Sequence, residues 1–459
     1  MHNDMTVGKP SKIIFTFAIS FLATNILNYV YNITDSLMLA HYVDPSAIGA
    51  IGSVSPLINL TVMLYSGLVS GFCILIGKAY GSGDRATLSG LSANSIILCA
   101  LIVLPTALLT MLLSGVFVTW IGTPDSFFTM AKTYMQIIFA GLPISVVVFV
   151  ASGFMRALGD GKTSMKISIL SGALNVVFNF IFLKIIPLGV AGAAVGSICA
   201  TAVGALLYIR IVKTKMSILI PRREDMHLDK SLVKPLLASG FTLMLQGSIV
   251  QIASSIRQTT VNSFDEYVIT GMSTGEKLIA FSWIIIMSFE SALLYFAAQN
   301  SGAGKIDRVK AGWKFSFIVM LAFAGSMAAL FICFGKYFFG LFLGFGDDVA
   351  TVSVTEYAVS YVISQMIFFP FMALLSSTRG AVKGMGKTLA TILCGVLELV
   401  GCTVSVLVVN LVPMSHSLKL GVIYLSLPLA WILTSLVVLV LFIRAIKEKR
   451  EESLLVLNS

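Results

Sequence analysis

Ionisable and amide side chains inside long apolar stretches are the residues of this sequence that could do chemistry. Each is costly in lipid unless it faces protein or water, so its default reading is functional. Asn25, Asn28, Asn32 and Asp35 follow one another at spacings of three, four and three. On a helix that spacing places all four along one face. Tyr31 stands beside the stripe, four residues before Asp35. Amides alone would read as a polar seam between membrane helices. A carboxylate adds charge that a seam does not require, so Asp35 is a candidate for ion coupling, with Asn28, Tyr31 and Asn32 as candidate substrate contacts.

A second stripe repeats the pattern without a carboxylate. Ser171, Asn175 and Asn179 are four residues apart, and Ser197 follows the small-residue run Gly189-Val190-Ala191-Gly192-Ala193-Ala194. Small residues permit close helix approach, the commoner meaning of such a run. Taken together, Asp35, Asn175, Asn179 and Ser197 would form an oxygen-rich cation site. Sodium would be coordinated directly, whereas a proton would need only Asp35. Later in the chain stand Gln251, Arg257, Glu290 and Glu398. These could bind a cationic substrate, form a second ion site, or pair the carboxylates structurally with Arg257. His2, His41, His227 and His416 lie near ends or loops, which argues against a histidine relay. The six cysteines fall in apolar segments without metal-ligand spacing. Apart from Na+ or H+ as coupling ion, no cofactor is expected.

The elements that must position these residues are membrane helices. The chain has 459 residues, is 57% hydrophobic and only 11% charged, and its mean hydropathy is +0.95. Soluble domains average roughly 25% charged residues. A span needs about 20 apolar residues, which predicts an all-α polytopic membrane protein of about twelve helices with no sizeable soluble domain. Gly, Pro and charge clusters place them at 13–39, 48–77, 92–120, 130–156, 164–186, 189–212, 235–262, 270–300, 313–341, 354–378, 388–412 and 419–445. The first apolar segment is too long for a signal peptide and is read as the first span. Of the 31 Lys and Arg, only Lys132, Lys184, Arg257, Lys277, Lys336 and Lys419 fall on the side opposite the termini. That asymmetry places both termini in the cytoplasm. It also explains the net charge of +10 by anionic lipid headgroups rather than nucleic acid.

The loops repeat. Gly81-Ser82-Gly83-Asp84-Arg85 has its counterpart in Gly302-Ala303-Gly304 with Asp307-Arg308. The segment from Arg156 to Gly161-Lys162-Thr163 has its counterpart in Arg379 to Gly386-Lys387-Thr388. Both pairs are separated by roughly 220 residues, so the expectation is two pseudo-symmetric six-helix bundles in parallel orientation, an arrangement suited to alternating access. The first lobe is 1–212, a linker 213–234, the second lobe 235–446, and a tail 447–459. The Gly-Lys-Thr triplets are not P-loops, because Arg156 and Ala381 stand where the first Gly is required.

With these features in place, the sequence resembles the multidrug and toxic compound extrusion (MATE) family. The resemblance rests on Tyr31-Asn32-Ile33-Thr34-Asp35-Ser36-Leu37-Met38 followed by Ala47-Ile48-Gly49-Ala50. It extends through Arg156-Ala157-Leu158-Gly159-Asp160, through Asn175 and Asn179 before Gly189 to Ala194, and through Arg379-Gly380 to Gly386-Lys387. It covers nearly the whole chain. It implies an antiporter that exports cationic, often aromatic compounds against inward sodium or protons, with Asp35 as the coupling carboxylate of the first half. Asn175 and Ser197 fit the family pattern. Asn179 replaces a second carboxylate, and Ser20 stands where the first helix usually carries Pro.

The expected function is therefore secondary active antiport by a monomer in a bacterial inner membrane, with a small organic substrate and the lipid bilayer as partners. A lipid-linked precursor flippase of the same superfamily would need several cavity cations to hold pyrophosphate, and Arg257 is the only conspicuous one. An integral-membrane enzyme would need clustered acid, base or metal ligands, which the sequence lacks.

Overall fold

In lipid every backbone polar group must be satisfied within the chain, and the long apolar runs accordingly close into helices. The computed structural model describes residues 4–343, 346 and 348–458, with the side chains of Asn32, Pro45, 341–343 and 452–458 outside that description. The first half comprises α1 (Pro10–Tyr42), α2 (Pro45–Ser82), α3 (Arg85–Leu112), α4 (Ser114–Trp120), α5 (Asp125–Ala140), α6 (Leu142–Ala157), α7 (Gly161–Phe180) and α8 (Val190–Lys215). The second comprises α9 (Lys230–Val261), α10 (Glu266–Gly302), α11 (Ile306–Leu343), α12 (Val349–Gly384), α13 (Leu389–Leu411) and α14 (His416–Asn458). Among the described residues, 11 helices are long and apolar enough to cross a membrane, and the bent pair α5 and α6 makes up to 12.

Two expected spans are interrupted. The third ends at Leu112, and Ser114–Trp120 continues as a separate short helix. The fourth bends by 46° between α5 and α6. Pro143 at the start of α6 has no N–H to continue the α5 ladder, and a Cβ on Gly141 would meet Ile198 at 2.6 Å. The bend thus sits where α8 crowds the break.

Helix ends carry the charges that the spans avoid. Asp44, Asp84, Asp160, Asp265 and Asp348 cap α2, α3, α7, α10 and α12, each accepting from a backbone N–H of the first turn. These bonds hold the exposed Asp44, Asp84 and Asp348 carboxyls below the usual carboxylate range. The repeated loops share one geometry. Gly159 and Gly386 adopt φ of 88° and 79°. The amides of Asp160 and Lys387 then reach back to the carbonyls of Met155 and Val382, at 2.9 and 3.2 Å. A positive φ is open to glycine and strained for other residues, so the repeat seen as sequence is a repeat of helix endings.

Packing divides the chain into two units. Among the described residues, one contains Asp4 and Ile19–Met244, the other Met5–Ala18 and the residues from Leu245 onward. This partition differs from the division at 213–234 in a specific way: α1 and α9 are each shared. The start of the chain is held inside the second unit. Gln299 accepts from the Met5 amide at 3.0 Å, Asn300 donates to the Met5 carbonyl at 3.1 Å, and Arg308 donates to the Gly8 carbonyl at 2.8 Å. The start of α9 is held inside the first unit. Ser239 donates to the Gly71 carbonyl at 3.0 Å; a Cβ on Gly71 would strike the Gly240 backbone, and one on Gly240 would strike Leu68 and Phe72.

Candidate functional site

In the first unit, α7 ends in Asn175 and Asn179, one turn apart on one face, and then widens into a π turn over Ile181–Ile185. Single π turns recur at functional sites. The following α8 opens at Gly189 with φ of 60°, and its glycines bring it against this turn. A Cβ on Gly192 would collide with the Phe182 carbonyl, and one on Gly196 with Asn179 Oδ1. The small-residue run therefore does what such runs commonly do, and in doing so it seats Asn179.

Four polar side chains meet there. Asn179 Nδ2 donates to Asp35 Oδ1 at 2.6 Å. Asn175 satisfies both neighbours with its amide nitrogen turned to the carboxylate. It then donates to Asp35 Oδ1 at 2.7 Å, and its carbonyl accepts from Ser197 Oγ at 3.0 Å. Asn175 and Asn179 are buried, Asp35 and Ser197 half-buried. Asn179 Oδ1 is buried without a hydrogen-bond partner. That orphaned acceptor is the notable feature. As arranged, the amides present N–H groups to an ionised carboxylate. Rotating either amide would instead present a carbonyl to a protonated carboxyl or a cation. The Asp35, Asn175, Asn179 and Ser197 oxygens together are a hard-oxygen donor set suited to sodium, while Asp35 alone suffices for a proton.

In the second unit the charges form two separate clusters. Arg257 is buried and bonds Glu276, and its Nη1 also donates to the Tyr361 hydroxyl at 3.4 Å. Glu290 does not pair with Arg257. It accepts from Arg379 Nε and Nη2 at 2.9 and 2.6 Å and from Lys383 Nζ at 3.1 Å. Glu398 lies 3.8 Å from Arg379 Nη1, within ion-pair range and too far for a hydrogen bond. Gly380 and Gly384 make this cluster compact, since a Cβ on either would strike the α10 backbone.

The MatE family profile matches residues 21–181 and 243–412 of the chain. The chain belongs to the MatE family. It is accordingly a transporter and not an enzyme. Among curated relatives, probable multidrug resistance protein YpnP of Bacillus subtilis is 26% identical over 86% of this chain and 87% of its own length. Probable multidrug resistance protein NorM of Thermotoga maritima is 24% identical over 82% and 81%. A crystal structure of MATE in the bent conformation superimposes with a TM-score of 0.88 at 16% identity, covering 98% of both chains. A MOP superfamily transporter from Pyrococcus furiosus gives 0.84 at 16%, covering 97% and 98%. At such identities the structures establish the fold.

Within this MatE-family chain, Asp35, Asn175, Asn179 and Ser197, which come from three helices, are brought together. Tyr31 is half-buried and packs near Gly172 of α7. Asn28 is half-buried on α1, and the Asn32 side chain lies outside the described residues. Gln251 is exposed and does not join the Arg257 network. Glu290 and Glu398 belong to the Arg379–Lys383 cluster. Four residues escaped the sequence reading of the sites. Tyr134 on α5 lies within electrostatic reach of Asp35 and Tyr31, but nothing marks it in an apolar span. Glu276 was legible as a carboxylate inside the eighth span. Arg379 and Lys383 were seen only as parts of a repeated loop, although both lie on a helix among buried residues.

Proposed function

We propose that this transporter is a secondary active antiporter that exports small, often cationic organic compounds across a bacterial plasma membrane in exchange for H+ or Na+ bound at Asp35. The observation that carries the reading is the convergence of Asn175, Asn179 and Ser197 on one carboxylate, with Asn179 Oδ1 buried and unpartnered. A site of one carboxylate and two rotatable amides can stabilise an empty anion with N–H groups and a loaded one with carbonyls. Replacing the second family carboxylate with Asn179 leaves one formal charge to be exchanged per cycle in this site. Multidrug export is the role named for the curated relatives, and it is carried over here as the substrate class. The excess of Lys and Arg on one side supports cytoplasmic termini.

A flippase would need several cavity cations to hold pyrophosphate, and Arg257 was the only conspicuous one. Its ion pair with Glu276 leaves little net charge for a pyrophosphate, which favours export of cations. Reconstitution into liposomes tests the proposal: a fluorescent organic cation is followed while sodium and pH gradients are imposed separately. Coupled movement under one gradient is expected. Absence of movement under both would overturn it.

A further inference from the structure

A groove of about 390 Å³ runs along the first unit between α3, α6 and α8, and none of its lining residues belongs to the Asp35 site. Its floor is carbon: Cys99, Val103, Val146, Val150, Phe154 and Leu219 are all buried. Its rims, including Ile96, Leu104, Val147 and Ile209, are exposed, so in a membrane the groove opens to lipid. On α6 it extends from Pro143, at the helix bend, to Phe154. At 1.5 Å per residue that is about 16 Å, close to the roughly 15 Å hydrocarbon depth of a single leaflet.

The inter-lobe linker and one charge contribute to its wall. Leu219, Ile220 and Pro221 of the inter-lobe linker line the groove, and Lys213 in the last turn of α8 is its one charged lining residue. Lys213 is exposed and has no carboxylate partner among the described residues. The linker is fixed: the Arg222 amide donates to Ser89 Oγ at 3.1 Å, and the Asp229 amide to Asn94 Oδ1 at 2.9 Å. The linker wall of the groove is therefore preformed. A long apolar slot of one-leaflet depth, with an unpaired ammonium at headgroup level, is complementary to an acyl chain with an anionic head. An organic cation would meet like charge there.

We propose that this groove is a binding site for an anionic phospholipid of the linker-side leaflet, one acyl chain lying between α3, α6 and α8 with its phosphate at Lys213. Occupancy would brace the linker turn at 219–221 against α3 and α8. Binding there does not depend on which ion Asp35 carries.

Native mass spectrometry of the purified full-length protein tests this with three probes: phosphatidylglycerol, phosphatidylcholine of the same chains, and sodium phosphate. Wild-type protein is expected to retain phosphatidylglycerol in preference to phosphatidylcholine, and inorganic phosphate is expected not to displace it. Lys213→Ala should reduce retention about fivefold, the effect of one cation near a membrane surface. Ala100→Trp should fill the groove and abolish retention, while Lys166→Ala, an exposed cation of α7 outside the groove, should leave it unchanged. If Ala100→Trp does not fold, Ala151→Leu replaces it. Equal retention of both lipids, displacement by phosphate alone, or retention undisturbed by Lys213→Ala and the filling variant would each overturn the assignment.

Discussion

At the scale of single residues, the proposed coupling site would work through amide orientation. Asn179 is held by a hydrogen bond to Asp35 on one side and by Gly196 on the other. Asn179→Leu keeps the approximate shape and removes a bond to a charged group, a contribution of about 1.5–3 kcal/mol. Gradient-driven efflux should fall by roughly 10- to 100-fold, with unchanged protein yield in membranes. Asn179→Asp tests the same contact from the other direction. A second carboxylate beside Asp35 adds one negative charge to the site, so the variant should bind one further cation and show a steeper dependence of transport on cation concentration. A wild-type dependence would mean that position 179 does not face the exchanged ion. Gly196→Ala should be more disruptive than its size suggests, because the added methyl collides with Asn179 Oδ1. Transport assays alongside thermal stability would separate the loss of site geometry from loss of fold.

At the scale of elements, buried charge divides into a site and a strut. Glu290 ties α10 to α12 through Arg379 and Lys383, and removing one partner of a buried ion pair typically destabilises by about 3–5 kcal/mol. Glu290→Gln should therefore lower the unfolding temperature markedly in detergent. Glu398→Gln should cost less, because its carboxylate sits 3.8 Å from Arg379 without a hydrogen bond. Equal losses would show that Glu398 carries as much of the load. These elements also show where sequence was sufficient. The 3- and 4-residue spacings that end at Asp35 and at Asn179 encode one face on each helix, whereas their grouping into one site was read from their donor chemistry and the family resemblance. The repeated Gly-centred loops encode helix ends at positive φ, and the structure places them there. The bend between α5 and α6 was not legible, because it depends on α8 crowding Gly141 as well as on Pro143. Nor was the partner of Glu290: an Arg in a repeated loop motif reads as a surface charge until the helix is seen to continue past it.

At the scale of the whole molecule, the number of spans followed from hydropathy because lipid allows few alternatives to the helix. Packing units were harder to read, since the exchange of helix beginnings rests on long-range bonds such as Asn300 to Met5 and Ser239 to Gly71. Membrane orientation is open to a direct check. A cysteine placed at Arg223 in a background without accessible native cysteines should react with an impermeant thiol reagent only from the cytoplasmic side, and labelling from outside intact cells would reverse the orientation. The proposed coupling rests on Asp35. The most direct measurement is gradient-driven efflux of a fluorescent organic cation from proteoliposomes holding wild-type protein or Asp35→Asn, with folding verified by thermal unfolding. The account predicts that the variant folds and binds the dye but does not respond to either the sodium or the proton gradient. Coupled efflux at the wild-type rate by a folded Asp35→Asn protein would contradict it.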